Sequence, residues 1–271
     1  MSFCFYKLYS NIKIYTCQTH DIIKMEVAMN KIDKLIDYIK KSNKIVFFGG
    51  AGVSTESGLK DFRSKDGLYN EKYDYPPEEI LSHHFFIDNT FEFYKFYKDK
   101  LDTGKLTYNV THEVLSSLEK QGKLSSIITQ NIDGFHQLAG SKNVLELHGS
   151  IHRNYCMECG KFYDKDYVFN SKDIPICSCG GIIKPDVVLY EEGLNSDTIH
   201  KAIKEISTCD LLIIGGTSLN VYPAASFIRY FRGKNMVLIN KDNTNYDDMC
   251  DLVIHDSLGK VFNKIKKDII D

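Results

Sequence analysis

Two cysteine pairs are the first residues of this sequence whose types and spacing point to chemistry: Cys156-x-x-Cys159 and Cys177-x-Cys179. Four thiolates in two pairs suit tetrahedral zinc. With cysteine in every position no site is open to water, so such a metal would be structural. The second pair is one residue shorter than the usual C-x-x-C, and Gly180-Gly181 behind it would relieve the tighter turn. The other four cysteines, Cys4, Cys17, Cys209 and Cys250, are dispersed. This is not the pattern of a secreted disulfide framework, and it implies a reducing, cytoplasmic compartment.

Glycine loops are the second signal. The apolar run Lys44-Ile45-Val46-Phe47-Phe48 leads into Gly49-Gly50-Ala51-Gly52-Val53-Ser54-Thr55. Gly50 and Gly52 would let the backbone turn tightly and approach a pyrophosphate, whose charge is favoured at a following helix start. An ordinary hydride-transfer fingerprint is disfavoured. Thr55 stands where a third glycine is expected, and no strand ending in an acidic residue follows about 20 residues later. A similar loop, Gly215-Gly216-Thr217-Ser218-Leu219, follows the apolar run Leu211–Ile214.

Polar residues gather at other strand ends. Thr129-Gln130-Asn131-Ile132-Asp133 offers amide donors and one carboxylate, although Asn131 or Asp133 alone reads equally well as a helix cap. His148 follows Leu145-Glu146-Leu147, and an imidazole that titrates near neutrality is a general-base candidate at such a position. Asn240 ends a further strand, where a turn role is the alternative reading.

The elements that must position these residues alternate between short apolar strands and helices. Ile32, Leu35, Ile36 and Ile39 recur at helical spacing, and the helix ends near Lys41. Strands are expected at 44–48, 126–129, 144–147, 187–190, 211–214, 236–239 and 252–254, with helices between most of them. This pattern predicts a doubly wound α/β fold with a mostly parallel, Rossmann-like sheet. Its expected parts are 30–65, 106–150 and 185–271, interrupted by a helical insertion at 66–105 and a zinc-binding module at 151–184. Residues 1–29 read as a poorly specified extension. A formal net charge of −2 gives no reason to expect nucleic acid, and no apolar run reaches membrane-spanning length.

Together these stretches resemble the sirtuin family of NAD-dependent protein deacylases, in the manner of a compact bacterial member. The resemblance runs from about Ile32 to the C-terminus and rests on "GAGVSTESGLKDFR", "TQNIDGFH", "LELHGS", the cysteine pairs, "IIKPDVV" and "GTSLNVYPAA", in the family's order. It implies that NAD is consumed as a co-substrate, with the acyl group passing from lysine to ADP-ribose and nicotinamide released. One structural zinc ion accompanies it. By the same resemblance Ala51, Thr55, Phe62 and Arg63 line the first NAD loop. Gln130, Ile132 and Asp133 hold the ribose and nicotinamide end, with Asn131 beside them in a catalytic role. Thr217, Ser218, Asn240 and Asp256 hold the adenosine half, and His148 is the catalytic base. Val187 and Val188 match the segment that pairs with substrate backbone by strand addition. The partner implied is an acetyl-lysine protein or peptide, bound by a monomer.

Three positions depart from the family pattern. Lys60 replaces the proline before "DFR". The usual aromatic–Gly–Glu turn is here Tyr190-Glu191-Glu192, and Tyr97 stands where members that remove acidic acyl groups carry an arginine three residues after a tyrosine, here Tyr94. Without that guanidinium, acetyl or another neutral acyl group is favoured over succinyl. Protein mono-ADP-ribosylation and non-catalytic NAD sensing are the rival readings.

Overall fold

The structure, a computed structural model, describes residues 31–60 and 75–270. Helix α1 occupies 31–41 and leads into β1 (Ile45–Gly49). Short helices α2 (Pro77–Ile80) and α3 (His83–Asp88) precede the longer α4 (Thr90–Leu101). The chain then runs α5 (Val110–Lys120), β2 (Leu124–Thr129), α6 (Phe135–Leu138) and β3 (Val144–Glu146). A second excursion holds β4 (Gly149–Cys156), β5 (Phe162–Tyr163), α7 (Lys165–Asn170) and β6 (Ile183–Val187). The last part is α8 (Ser196–Thr208), β7 (Leu211–Gly215), β8 (Asn235–Ile239), β9 (Leu252–Ile254) and α9 (Leu258–Ile270).

Six strands form one parallel sheet in the order β3-β2-β1-β7-β8-β9. The chain steps outward from β1 to one side, then returns to build the other, so the strand order reverses between β1 and β7. In open parallel sheets ligands bind beyond the carboxyl ends at such a reversal. Strand β1 shows why both faces are covered. Ile45 and Phe47 face a core with Leu35, Leu115 and Phe262, while Val46 and Phe48 face another with Ile206, Ala224 and Ile228. Each strand side chain points opposite to its neighbours, so a run buried throughout needs helices on both sides.

The two excursions close on a third core. Phe85, Phe86, Phe93, Tyr94 and Tyr97 of α3 and α4 pack with Ile151, Val168, Ile183 and Val187 of the second excursion. Tyr97 stacks between Phe93 (5.5 Å) and Phe169 (5.3 Å), and the Tyr94 hydroxyl donates to the Ile183 carbonyl. Segments far apart in sequence thus form one small module around the antiparallel sheet β5-β4-β6.

One local expectation is corrected. The strand ends at Val187 rather than running through 187–190, because Glu192 N–H closes a turn onto the Leu189 carbonyl (3.0 Å). The loop after β1 coils through two short 3₁₀ turns, Ala51–Val53 and Thr55–Ser57.

Candidate active site

The sheet register puts the candidate residues in one row. Glu146, Thr129, Gly49, Gly215, Ile239 and Ile254 lie level across the six strands. The next one or two residues of each chain are therefore Leu147-His148, Gln130-Asn131, Gly50-Ala51, Gly216-Thr217, Asn240 and His255-Asp256. Phe62 and Arg63 lie outside the described residues.

The two glycine loops hold each other at the strand reversal. Gly50 N–H donates to Gly215 O (3.2 Å) and Gly52 N–H to Gly216 O (2.8 Å). A Cβ on Gly52 would fall 2.7 Å from the Gly216 Cα, and Gly216 itself has φ +59°. These glycines therefore serve loop-to-loop contact first, and the paired loops form the floor of the row. Gln130 Nε2 donates to Thr217 Oγ1 (3.2 Å) across that floor, and Thr55 Oγ1 donates to Gly52 O (3.1 Å). Ala51 is half-buried and Ser218 exposed.

His148 is half-buried, with Nδ1 2.9 Å from the Gln130 carbonyl. A carbonyl only accepts, so Nδ1 carries the proton and the Nε2 lone pair is left as a base. Burial lowers the pKa of His148 below the ordinary histidine value, with the Gln130 carbonyl opposing the shift. The imidazole is accordingly held neutral at neutral pH.

Asp133 is buried, and its carboxylate is already occupied. Ser54 Oγ donates to one oxygen (2.7 Å) and Phe135 N–H to the other (2.9 Å). Burial raises its pKa, while those two donors and His152 oppose the rise. Asn131 Nδ2 donates to the same Ser54 hydroxyl (3.1 Å), and its backbone N–H is held by Thr129 Oγ1 (3.0 Å). Ser54 thus joins the first glycine loop to Asn131 and Asp133. The sequence reading missed it; a buried serine just after a glycine turn is its only local signal. Asn109 was missed too. This N-cap residue of α5 donates to Val53 O (2.8 Å) and Ser57 Oγ (3.0 Å), fixing the loop from behind.

Ile132 is half-buried against the small-module core. Asn240 is tied locally to Asp242 O (2.9 Å), while Asp256 caps Ser257 N–H (2.8 Å) and pairs with Lys260 (3.3 Å). Both stay at the β8–β9 end of the row. Val187 pairs with Gly149 in the small sheet, and Val188 N–H donates to the His148 carbonyl (3.0 Å), so the segment after β6 begins at the histidine itself.

Away from the row, the Sγ atoms of Cys156, Cys159, Cys177 and Cys179 all lie within 4.8 Å of one another. Sγ–Sγ separations of 3.5 Å (Cys156–Cys179), 3.6 Å (Cys159–Cys177) and 3.5 Å (Cys159–Cys179) are close to the ~3.8 Å edge of a tetrahedron with Zn–S bonds of about 2.3 Å. The short second pair is accommodated by a turn in which Gly180 N–H donates to Cys177 O (2.9 Å) and Cys177 N–H to Gly181 O (2.8 Å). The donor set fits one structural zinc ion.

A classic-order parallel sheet, paired glycine loops at its reversal and a four-cysteine module together define a Rossmann-type dinucleotide-binding protein with a zinc-bearing small module. The Sir2 family model matches residues 50–223. The chain is 57% identical over 243 residues to an NAD-dependent protein deacetylase of Clostridium acetobutylicum, covering 88% of this chain and 99% of the relative. A protein of the same description from Clostridium perfringens is 59% identical, covering 87% and 98%. A solved Sir2 complex with p53 peptide and NAD+ matches with TM-score 0.77 and 34% identity over 87% of this chain and 97% of that one. The chain belongs to the Sir2 family.

Proposed function

We infer that this protein is an NAD-dependent protein lysine deacetylase that moves the acetyl group from lysine to ADP-ribose and releases nicotinamide. The observation that carries the reading is the His148 imidazole, its Nδ1 2.9 Å from the Gln130 carbonyl, in the same row of strand ends as the paired glycine loops. The relatives named as deacetylases and the solved Sir2 complex with deacetylated p53 peptide and 2'-O-acetyl-ADP-ribose support it. NAD supplies a ribose bond that nicotinamide can leave and an acceptor for the acyl group.

The residues divide the work as follows. The Gly50–Gly52 and Gly216–Thr217 loops admit the pyrophosphate, with Ala51 and Thr55 beside it; Phe62 and Arg63 are assigned to the same NAD loop by the family pattern alone. Gln130, Asn131, Ile132 and Asp133 hold the ribose and nicotinamide end. Asp133 acts largely by fixing Ser54 and the Asn131 loop, since both its oxygens are engaged. Ser218, Asn240 and Asp256 take the adenosine half. His148 Nε2 accepts a proton from a ribose hydroxyl, which general-base catalysis requires to be neutral imidazole beforehand. Val187 and Val188 bear the edge on which an acetyl-lysine peptide lies. Zinc, enclosed by four thiolates, holds the small module and takes no part in the chemistry.

A neutral acyl group is favoured. Tyr94 and Tyr97 are buried, Lys98 is committed to Ser171 through O (2.7 Å) and Oγ (2.6 Å), and Lys95 pairs with Glu92 (3.4 Å), so this helix offers no arginine guanidinium to a distal carboxylate. The enzyme acts as a cytoplasmic monomer; among the described residues no helix is long and apolar enough to cross a membrane. Mass spectrometry of acetyl-, succinyl- and long-acyl-lysine peptides incubated with and without NAD tests the reading. NAD-dependent deacetylation with acetylated ADP-ribose is expected. ADP-ribosylated protein without deacetylation would instead favour the transferase alternative.

A further inference from the structure

The turn after β6 contains a residue that ordinary turn chemistry would reject. Glu191 has φ +76°, a left-handed backbone region that favours glycine, and it is the third residue of the Leu189–Glu192 turn. Type II turns place glycine there for this reason. The sequence has glutamate where the family's pattern has glycine.

The side chain of Glu191 shows what offsets the misfit. One carboxylate oxygen accepts the backbone N–H of His84 (3.1 Å), and the other lies 2.7 Å from His84 Nδ1. The chain at and just before the start of α3 holds the turn through its backbone. Tyr190 N–H donates to Leu81 O (2.9 Å) and His83 N–H to Tyr190 O (3.0 Å). Glu192 completes the connection, taking His83 Nδ1 (2.8 Å), Lys184 Nζ (3.1 Å) and Leu189 N–H (2.9 Å). Only Leu189 separates Tyr190 from Val188, whose N–H is on the His148 carbonyl. The turn's shape therefore sets the direction in which the chain leaves the catalytic histidine.

We propose that Glu191 is a positioning residue for the peptide substrate: its carboxylate, held by His84, stands in for glycine and keeps the Val188–Leu189 edge presented for strand addition. Peptide affinity then depends on the contact between Glu191 and His84, a dependence that a glycine would remove. The proposal rests on the deacetylase reading above, and in particular on Val187 and Val188 as the peptide edge.

Steady-state kinetics with an acetyl-lysine peptide and NAD, together with direct binding of a fluorescent acetyl-lysine peptide, test it on the full chain. Glu191→Ala removes the tie but leaves a side chain at positive φ. Its peptide KM should rise about ten-fold, the equivalent of the ~1–2 kcal/mol that a left-handed residue costs. The KM for NAD and kcat at saturating peptide should stay within two-fold. Glu191→Gly should restore the peptide KM, because glycine takes the turn unaided. His84→Phe should raise the peptide KM about three-fold in the wild-type background and leave it unchanged in Glu191→Gly. If Glu191→Ala is insoluble, the His84→Phe comparison in the two backgrounds decides alone. A peptide KM unmoved by Glu191→Ala, or a Glu191→Gly variant as impaired as Glu191→Ala, overturns the proposal. A wild-type protein that neither binds nor deacetylates the peptide overturns instead the function on which it rests.

Discussion

Acid should destabilise this protein through two histidines that the chemistry does not use. His112 on α5 and His136 on α6 are fully buried, with ring centroids 4.7 Å apart. His112 Nδ1 accepts the Asn109 N–H (3.2 Å), and among the described residues neither Nε2 of His112 nor either nitrogen of His136 has a hydrogen-bond partner. Burial pushes His112 down to about 4, and burial together with His112 pushes His136 well below its ordinary value. Both folded-state values are depressed, so between pH 6.5 and about 4 the unfolded chain binds protons that the folded chain refuses. Stability must therefore fall as pH falls through that window. For His112 alone, lowering pH from 7 to 5 removes about 2 kcal/mol, and His136 adds a loss of the same sign. In a chain of this size 2 kcal/mol corresponds to a melting point lower by about 4–8 °C. Denaturant unfolding of wild type and His136→Leu at pH 7 and pH 5 measures the effect, and the comparison cancels acid effects common to both, such as protonation of the cysteine thiolates. The variant should lose less stability than wild type over that interval. Equal losses would refute the reasoning. The pair also matters to function, because Asn109 ties it to the first glycine loop and His136 follows Asp133 by three residues.

Further expectations concern the site itself. Deacetylation kcat/KM should fall on the acid side as His148 protonates, with the limb below the ordinary histidine value of about 6.5; a limb centred above 7 would contradict the assignment. His148→Tyr should abolish turnover while NAD still binds, as followed by calorimetry. Ser54→Ala leaves a buried carboxylate oxygen and the Asn131 amide without their partner, at a cost of about 1–3 kcal/mol, and should raise the KM for NAD more than that for peptide. Gly52→Ala forces the two loops apart and should weaken NAD binding by more than ~10-fold while far-UV circular dichroism is retained. Chelation should release one zinc per chain, measured by elemental analysis, and unfold the small module together with activity.

Much of the framework was legible because it is written locally. Buried strands such as Leu211-Leu212-Ile213-Ile214 carry their own signal, and the two cysteine pairs carry theirs in spacing. His148 could be picked out because a histidine follows a strand and precedes glycine. Ser54 and Asn109 escaped because their importance lies in partners 79 and 56 residues away, Asp133 and Val53. The aromatic residues of α4 read as a helical insertion, but nothing in their spacing says that Tyr97 stacks on Phe169. Val187–Tyr190 read as strand by composition, while the glutamates beyond it, reaching back to α3 and Leu189, made a turn.

Only Leu147 and His148 separate β3 of the large sheet from β4 of the small one. Leu147 N–H is fastened to Thr129 O (2.9 Å) in the large sheet, and His148 O accepts from Val188 in the small module. Gly149, at φ +76° and with Asp186 O only 1.9 Å from where a Cβ would stand, makes the corner. Any rocking of one body against the other must therefore twist the backbone at His148. The backbone at His148 is thus an axle between the two sheets, and turning about it re-aims the imidazole that the proposed function uses as base.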